Sequence, residues 1–564
     1  MSSSEERRRY RGPDPLSTES NARMARSAGV VGGATLASRV LGLARDVVLA
    51  ATFTQAATDS FFVAFMIPNL LRRLVGEGAL TLAFVPVFTG WLRRSREEAR
   101  RVFNATWTLS ALIGAVLTLG GIVLAAPLVH LFAPGFTLEP GKFELCVSLL
   151  RLCFPYILLL MLVAVAMGAL NSVGHFLAPA VAPVLLNLCL IGAALLAAPL
   201  FEPPILALGV AVVAAGILQV ALQVPPLSRR QLSPRPVLAP GHPAIRRLGR
   251  IMAPALLGAS VFQLNILVSR FLASFEGNGA VSNLYYADRL IEFPLGVFVF
   301  AIGTASLPAF ARRVKARDRR GLSETFSGSL SLALSLAIPS TLGLILLAPL
   351  LVAALFAWNG DVFGAQAVEG CARALFFYSL GVVPITVSRT YVNLCMAHEN
   401  TRTPAQAAIV SLIVNTLAAL ALIGPLPVGP LPEALVSLQH GWVRADLGYP
   451  GLALASSIAA LANALYLIAA SGRRYGRLLH GADLVGWGRL VLAAAFMVVG
   501  LRLGMAWLSP PPSASLANLA RLAVLVTLGA GLYAGGLRAL RSPELGALAS
   551  ILRRHRPASS DDGL

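Results

Sequence analysis

The chain is poor in charged residues and almost devoid of lysine. Only 13% of its 564 residues are charged, whereas 56% are hydrophobic. A water-soluble domain needs more polar surface than this composition supplies, so soluble fold classes are excluded. Lysine occurs only at Lys142 and Lys315, so nearly all of the 46 basic residues are arginines. An arginine inside an apolar segment is therefore weaker evidence of selection for arginine than it would be in an average protein.

The cysteines are few, and their spacing is not typical of a metal site or a disulfide framework. No CxxC spacing occurs, and all five fall in or beside apolar segments, so we interpret them as small buried hydrophobic residues. They are Cys146, Cys153, Cys189, Cys371 and Cys395. The sequence also lacks a Walker A motif, an HExxH motif and a GxSxG motif, which argues against an ATP-driven pump or a hydrolase. We expect a transporter without covalent chemistry, metal or cofactor.

Long apolar segments are abundant. We count about fourteen of roughly 20 residues or more, which is the length that a transmembrane helix needs. They lie at 29–53, 58–91, 104–133, 145–170, 177–200, 204–226, 248–273, 284–310, 323–357, 371–397, 403–424, 450–471, 484–508 and 515–537. The sequence therefore predicts an all-α polytopic membrane protein with about fourteen transmembrane helices.

The basic residues are divided unequally between the two predicted sides. The tails and alternate loops on one side hold 32 of the 46, and the loops on the other side hold only Lys142 and Arg444. This split follows the positive-inside rule and places both termini in the cytoplasm. It also accounts for the net charge of +20 without any nucleic-acid partner. The polar, arginine-rich residues 1–28 are predicted to be a disordered cytoplasmic tail.

The two halves of the membrane region resemble each other. FFVAFMIP at 61–68 corresponds to YYADRLIEFP at 285–294, and later pairs keep offsets of about 228 to 232. Because six spans separate the copies, both copies have the same orientation. This predicts two six-helix lobes related by a pseudo-twofold axis along the membrane normal, with a substrate site between them. The last two spans are an addition outside the repeat.

The first span carries charges near its middle. Residues 37–50 read ASRVLGLARDVVLA and include Arg39, Arg45 and Asp46. A charged group at the bilayer centre costs roughly 2.5–3.5 kcal/mol on insertion scales. At about 100° per residue, the polar residues of this helix fall within about 120° of one another. This face therefore meets something other than lipid.

The eighth span has a similar polar face. Ser282, Arg289 and Glu292 lie close together on the helical wheel, and Asp288 departs from them. Mutual pairing that merely joins helices is one interpretation, because spans 1, 2 and 8 hold five arginines and five acids. A hydrated central cavity is the other, and arginine is well suited to bidentate phosphate recognition.

The second span contains a charged, glycine-rich interruption. PNLLRRLVGEGALTLAF places Arg72, Arg73 and Glu77 within an apolar segment, with glycines on both sides of the glutamate. This predicts a bend or local unwinding that faces protein or water. A turn between two re-entrant pieces is the alternative.

Several of these segments resemble one known family. The sequence is similar to the MurJ/MviN family of lipid II flippases, within the multidrug/oligosaccharidyl-lipid/polysaccharide exporter superfamily. The similarity covers about residues 29–540. The segments that carry it are SRVLGLARD (38–46), TDSFFVAFMIPNLLRRLVGEGALTLAFVPVF (58–88), FPYILL (154–159), YYADRLIEFPLGV (285–297) and TRTPAQAAIV (401–410).

The resemblance implies a set of site residues. The family's essential cavity arginines, which bind the pyrophosphate, match Arg39, Arg45, Arg72 and Arg289. Asp46 matches the acidic partner of the first-helix arginine. Further cavity candidates are Asp59, Asn69, Arg73, Ser282 and Glu292.

The resemblance also implies a domain organisation and partners. The expected partners are lipid II, membrane lipids and the cell-wall synthesis machinery, in the bacterial inner membrane. The expected parts are an N-terminal lobe (29–226), a cytoplasmic linker (227–247), a C-terminal lobe (248–471), two helices that form a groove for the lipid tail (484–537) and a cytoplasmic tail (538–564).

One departure from the family concerns ion coupling. A sodium site of some members needs acidic residues on helices 7 and 11, where this chain has Gln263, Asn265 and Asn415 instead. We therefore do not expect sodium coupling, and membrane potential or a proton are the alternatives.

Three other functions fit the sequence less well. Another exporter of the superfamily would move drugs or a different polyprenyl-linked glycan. A glycosyltransferase would need a catalytic carboxylate in a large outer loop, and the longest one, 425–449, has only Glu433 and Asp446. A signalling scaffold would not need the charged cavity residues. The leading prediction is a lipid II flippase that works by alternating access.

Overall fold

Helices are the main regular secondary structure of the residues that the structure describes. The structure is a computed structural model that describes residues 15–71, 80–296, 300–476, 478–508 and 516–546. Within these ranges the chain forms twenty α-helices and no strand, apart from one isolated β-bridge between Ile423 and Asp446. The predicted all-α fold class is confirmed.

Nine of the helices precede the predicted linker. They are α1 (Pro15–Thr52), α2 (Gln55–Leu71), α3 (Thr81–Leu92), α4 (Arg96–Val123), α5 (Ala125–Phe132), α6 (Lys142–Cys153), α7 (Pro155–Ser172), α8 (Leu177–Gly192) and α9 (Leu206–Ser228). The first helix begins at Pro15, inside the segment that the composition predicts as a tail.

Eleven helices follow. They are α10 (Pro243–Ala273), α11 (Ala280–Pro294), α12 (Phe300–Lys315), α13 (Arg319–Phe356), α14 (Ala365–Ser379), α15 (Val382–Ala397), α16 (Arg402–Leu422), α17 (Glu433–Trp442), α18 (Tyr449–Tyr475), α19 (Gly481–Trp507) and α20 (Leu516–Ala539).

Ten stretches of the described residues are long and apolar enough to cross a membrane. They match ten of the fourteen predicted spans. In two of the other four, 58–91 and 284–310, the described residues form helices of 12 to 17 residues, which are α2 and α3 in the first and α11 and α12 in the second. The count of fourteen stays a prediction, as do the boundaries of the lobes.

The chain divides into two compact units. Unit 1 comprises residues 1–48, 64–125 and 148–259, and unit 2 comprises 49–63, 126–147 and 260–564. Unit 2 therefore includes two pieces of the first half of the sequence. They carry the last residues of α1, the first part of α2, nearly all of α5 and the first part of α6.

The core of unit 1 forms where α3 and α4 pack against α7. Phe84, Phe88 and Phe103 are completely buried there, and Phe84 stacks on Phe88 with 5.1 Å between ring centroids. Small residues allow close packing at the other end of α4, as is usual between transmembrane helices. A Cβ atom at Gly121 of α4, for example, would overlap the ring of Phe154.

The core of unit 2 is built around α13. Phe326 of α13 is completely buried and meets Phe310 and Tyr391, at centroid distances of 5.9 and 4.9 Å. The last two helices pack against each other and against α13. Trp487 of α19 donates a hydrogen bond of 2.9 Å to Ser331 of α13. These contacts make α19 and α20 part of unit 2.

The irregular segment between α9 and α10 is fixed to α4 within unit 1. Asn104 Oδ1 accepts from the backbone N–H of Arg235 at 3.0 Å, and Thr108 Oγ1 accepts from that of Val237 at 2.9 Å. His242 Nε2 lies 3.3 Å from a carboxylate oxygen of Glu98. Side chains of one helix thus satisfy backbone groups that no strand or helix partner reaches.

Two adjacent glycines of α4 allow a controlled test of the packing of α4 against Phe154. We expect Gly121→Ala to lower stability by about 1–3 kcal/mol, because Phe154 has to move out of its packed position. We expect Gly120→Ala to be neutral or slightly stabilising, because a Cβ there meets no atom within 4 Å and alanine favours a helix. Thermal unfolding of both variants in detergent measures the difference. Equal melting temperatures would contradict the packing described here.

Candidate functional site

Arg45 and Asp46 form a buried ion pair on α1. Arg45 Nε and Nη2 donate to the same oxygen, Asp46 Oδ1, at 2.9 and 2.6 Å. Arg45 is 8% exposed and Asp46 is completely buried. A buried charge is tolerated when it is paired and hydrogen-bonded, so the adjacent acid offsets the desolvation penalty of burying this arginine.

Asn187 of α8 completes this group. Its Oδ1 accepts from Arg45 Nη1 at 3.3 Å, and its Nδ2 donates to the backbone carbonyl of Ser38 at 3.1 Å. The amide therefore joins α8 to two points on the polar face of α1. Arg39 is half-buried on the same helix, about 120° around from Arg45. We call Arg45, Asp46 and Asn187 the arginine cluster.

A second ion pair lies on α11 of unit 2. Arg289 Nη1 donates to Glu292 Oε2 at 2.9 Å, one helical turn away. The Arg289 side chain is 28% exposed and that of Glu292 is 47% exposed. This pair is more accessible than the arginine cluster, so solvent or an incoming anion can compete for Arg289 at a smaller cost.

Asp59 of α2 caps the N-terminus of α11. Its Oδ1 accepts from the backbone N–H of Ser282 at 2.7 Å, and its Oδ2 accepts from that of Gly279 at 2.8 Å. These N–H groups have no partner within the helix, and the helix dipole favours an anion at this end. Gly279 has a φ of +93°, a left-handed conformation that suits glycine.

Lys142, at the start of α6, neutralises Asp59. Its Nζ donates to Asp59 Oδ2 at 2.9 Å, to Asn278 Oδ1 at 3.0 Å and to the carbonyl of Gly277 at 3.4 Å. It also lies 4.5 Å from the centroid of the Phe136 ring, and only 4% of the residue is exposed. Every donor of this ammonium group is thus used. We call Asp59, Lys142, Asn278, Gly279 and Ser282 the buried clamp.

The clamp joins three distant parts of the chain within unit 2. Ser274 Oγ accepts from the N–H of Gly135 at 3.1 Å, which adds a second link between the segment before α6 and the loop before α11. A hydrogen bond of 3.2 Å from Gln55 of α2 to Asn283 of α11 also joins α2 to α11. That these segments lie on the outer side of the membrane stays a prediction from the charge distribution.

The predicted site residues fall into separate groups. The structure places Arg45 with Asp46, Asp59 with Ser282, and Arg289 with Glu292. Asn69 is half-buried in α2. Arg72 and Arg73 lie outside the described residues, as does the predicted bend around Glu77. The use of these positions as a substrate cavity stays a prediction.

Sequence reasoning missed two residues that complete these groups. Asn187 lies 142 positions from Arg45, so no local pattern connects them. Lys142 counts as an ordinary loop charge in the sequence. Its one warning sign is that it is a lysine on the side that holds only two basic residues.

One carboxyl group in the loop before α11 has an altered pKa. Burial, and secondly the nearby carboxylate of Asp446, raise the pKa of Glu276 to about 7, against the opposing effect of a hydrogen bond from the backbone N–H of Tyr449. The loop that supplies Asn278 and Gly279 to the clamp therefore also holds a carboxyl group that titrates near neutral pH.

Comparison with known proteins identifies the family. The family model described as "Lipid II flippase MurJ" matches residues 49–510. The chain is 35% identical over 519 residues to the lipid II flippase MurJ of Burkholderia cenocepacia, covering 90% of this chain and 95% of that one. The chain belongs to the MurJ lipid II flippase family.

Other members and solved structures are consistent with this assignment. The probable lipid II flippase MurJ of Vibrio cholerae is 34% identical over 494 residues, covering 85% of this chain and 89% of that protein. A MurJ structure in an inward closed conformation matches with a TM-score of 0.71 at 23% identity, over 90% of this chain and 99% of that one. A MATE family transporter, inward-facing, matches with a TM-score of 0.63 at 16% identity, over 78% of this chain and 95% of that one. These two structural similarities show the fold alone.

The raised pKa of Glu276 gives this MurJ family member a pH-dependent stability. Between pH 4.5 and about 7 the unfolded chain loses this proton while the folded chain keeps it. This group therefore lowers stability as pH rises through that window and changes it no further above it.

We expect Glu276→Gln to flatten this part of the stability profile. Melting temperatures in detergent at half-unit steps from pH 5 to 8 measure it. Glu433→Gln, at an exposed position of α17, is the matched control and should follow the wild type. A Glu276→Gln profile parallel to the wild type would contradict this assignment.

Proposed function

We propose that this protein flips lipid II from the cytoplasmic to the outer leaflet of the bacterial inner membrane. The proposal rests chiefly on the match of residues 49–510 to a family model of lipid II flippases. The protein works by alternating access, without covalent chemistry. Both termini are cytoplasmic, as the distribution of arginine favours.

The intramembrane arginines are proposed to bind the pyrophosphate of the lipid. A diphosphate that crosses the hydrocarbon region needs compensating positive charge, and the planar guanidinium group suits bidentate contact with phosphate. The binding set is Arg39, Arg45, Arg72 and Arg289, with Arg73, Asn69 and Glu292 as further cavity positions. Asp46 and Glu292 hold the arginines in place, and the substrate competes with these acids for them.

The buried clamp is proposed to stabilise the state in which the outer side is closed. Asp59 and Lys142 belong to the predicted N-terminal lobe, and Gly279 and Ser282 belong to the predicted C-terminal lobe. Release of the lipid outward requires these contacts to open, which transfers Asp59 and Lys142 together to water. Because the pair is neutral overall, closing it buries no net charge.

The energy source is proposed to be the membrane potential or a proton. Moving one charge through 100 mV supplies about 2.3 kcal/mol, which is enough to bias a conformational cycle. The lack of acids at the helix 7 and helix 11 positions disfavours sodium. The lipid tail is proposed to lie against α19 and α20, and cell-wall synthesis enzymes are proposed as partners that use the exported lipid.

The central prediction concerns rescue of a bacterium whose own flippase is depleted. We expect the wild type to restore growth and to expose lipid II to an external probe. Arg45→Ala and Arg289→Ala should fail at both while reaching wild-type levels in the membrane. Arg373→Ala is the matched control, because Arg373 is 67% exposed and pairs only with its helical neighbour Glu369 among the described contacts.

Two outcomes would contradict the proposal, one concerning the transported substrate and the other concerning the arginine site. Failure of the wild type to expose lipid II would point to another polyprenyl-linked glycan, or to a drug exporter of the same superfamily. Arginine variants that work normally would refute the pyrophosphate site and leave the charges as contacts between helices.

A second prediction concerns the clamp. Removing one partner of a buried ion pair typically costs 3–5 kcal/mol, so Lys142→Met should destabilise the closed outer side. Ser282→Cys provides the probe, because Ser282 is completely buried and its hydroxyl donates only to Gly279 O within its own turn.

We expect a membrane-impermeant maleimide to label Ser282→Cys slowly in the parent protein and much faster when Lys142→Met is added. Lys142→Arg should give an intermediate rate because it keeps the charge. Lys315→Met removes the other lysine, on the opposite predicted side, and should change nothing. Equal labelling with and without Lys142 would show that the clamp does not hold this side closed.

A further inference from the structure

The helix α17 lies in the loop between α16 and α18. It comprises ten residues, Glu433–Trp442, on the side of the membrane that holds few basic residues. Its side chains divide into three faces around the helix axis.

One face fixes α17 to the protein. Val436 is 2% exposed and Gln439 is 5% exposed. Gln439 Nε2 donates to the carbonyls of Leu420 and Gly424, at 3.0 and 2.8 Å, and its Oε1 accepts from the N–H of Leu426 at 3.1 Å. The amide thus holds the helix against the end of α16 in one orientation.

A second face is apolar and exposed. Leu435, Leu438 and Trp442 are 55%, 72% and 46% exposed. At about 100° per residue they fall within about 60° of one another. Exposed leucine and tryptophan side chains in a continuous stripe indicate a surface that something apolar covers. We call these three residues the α17 stripe.

A third face is polar. Glu433, Ser437 and His440 are exposed and lie between about 140° and 200° from Leu435 on the helical wheel. This arrangement, with apolar, protein-bound and polar faces side by side, is what a helix at a membrane surface requires.

The α17 stripe continues an apolar surface of a membrane-spanning helix. On α16, Ile409, Ile413 and Leu417 are 49%, 54% and 45% exposed, at successive intervals of four residues. Trp442 Nε1 donates to the backbone carbonyl of Leu417 at 3.3 Å, where that row ends. The lipid-facing side of α16 therefore leads directly to Trp442, and from there to Leu438 and Leu435.

We propose that α17 is an interfacial helix whose stripe rests on the acyl chains of the outer leaflet. Lipid is favoured over a protein partner because the stripe carries no charged side chain and extends a surface that already faces lipid. Tryptophan is also enriched where a protein passes from hydrocarbon to headgroups. The helix fixes the depth of the end of α16 in the bilayer through Gln439.

Two neighbouring residues provide the test. A nitroxide spin label at Leu438→Cys points along the stripe, and one at Ser437→Cys points about 100° away toward the polar face. The labelled full-length protein is placed in nanodiscs of phosphatidylethanolamine and phosphatidylglycerol. Power saturation with oxygen reports lipid exposure, and saturation with a water-soluble nickel chelate reports water exposure.

We expect the label at 438 to favour oxygen by several-fold and the label at 437 to favour the nickel complex. Similar accessibility at both positions, or higher nickel accessibility at 438, would overturn the proposal. Leu438→Cys should also be protected from a water-soluble maleimide both in cells and in nanodiscs. Protection in cells alone would overturn the proposal, because a protein partner absent from the nanodiscs would then cover the stripe.

A variant test separates this role from folding. Gln439→Ala should release α17 and lower the difference between 437 and 438 without unfolding the spans, as judged by an unchanged circular dichroism spectrum. An unchanged difference in this variant would show that Gln439 does not set the orientation of the helix.

Discussion

The pairing of charge inside a low-dielectric environment is the constraint on which this structure depends. Arg45 is buried because Asp46 and Asn187 satisfy it, and Lys142 is buried because Asp59 and two loop oxygens do. Burying any of these charged groups alone would carry a large desolvation penalty, which its hydrogen-bonded partners offset. The same requirement means that a charged substrate or a conformational change can shift these groups only by offering them equivalent partners.

The two buried pairs differ in what they hold together. Arg45 and Asp46 are neighbours in sequence, so their pairing is local, and Asn187 links it to another helix of unit 1. Asp59 and Lys142 are 83 residues apart, and the loop before α11 comes more than 130 residues later. The clamp therefore forms only when segments that are remote in the sequence are brought together.

The sequence predicts the helical class and the polar face of α1 because both are local properties. Hydropathy over 20 residues identifies a span, and the 100° interval between residues places Arg45 and Asp46 on one face. Asn187 and Lys142 could not be predicted in this way, because their partners come from remote helices. The capping of α11 by Asp59 likewise appears only in three dimensions. The amphipathic α17 lies in a loop that the span analysis treats only as a connection.

The proposed flipping activity is measured most simply as transfer of lipid II across a defined membrane. Purified protein would be reconstituted into vesicles with labelled lipid II in one leaflet, with and without an imposed membrane potential or pH gradient. Lipid II should reach the opposite leaflet faster than in protein-free vesicles, and Arg45→Ala should abolish the gain. Transfer by folded wild-type protein at the protein-free rate under every gradient would contradict the proposed flipping activity.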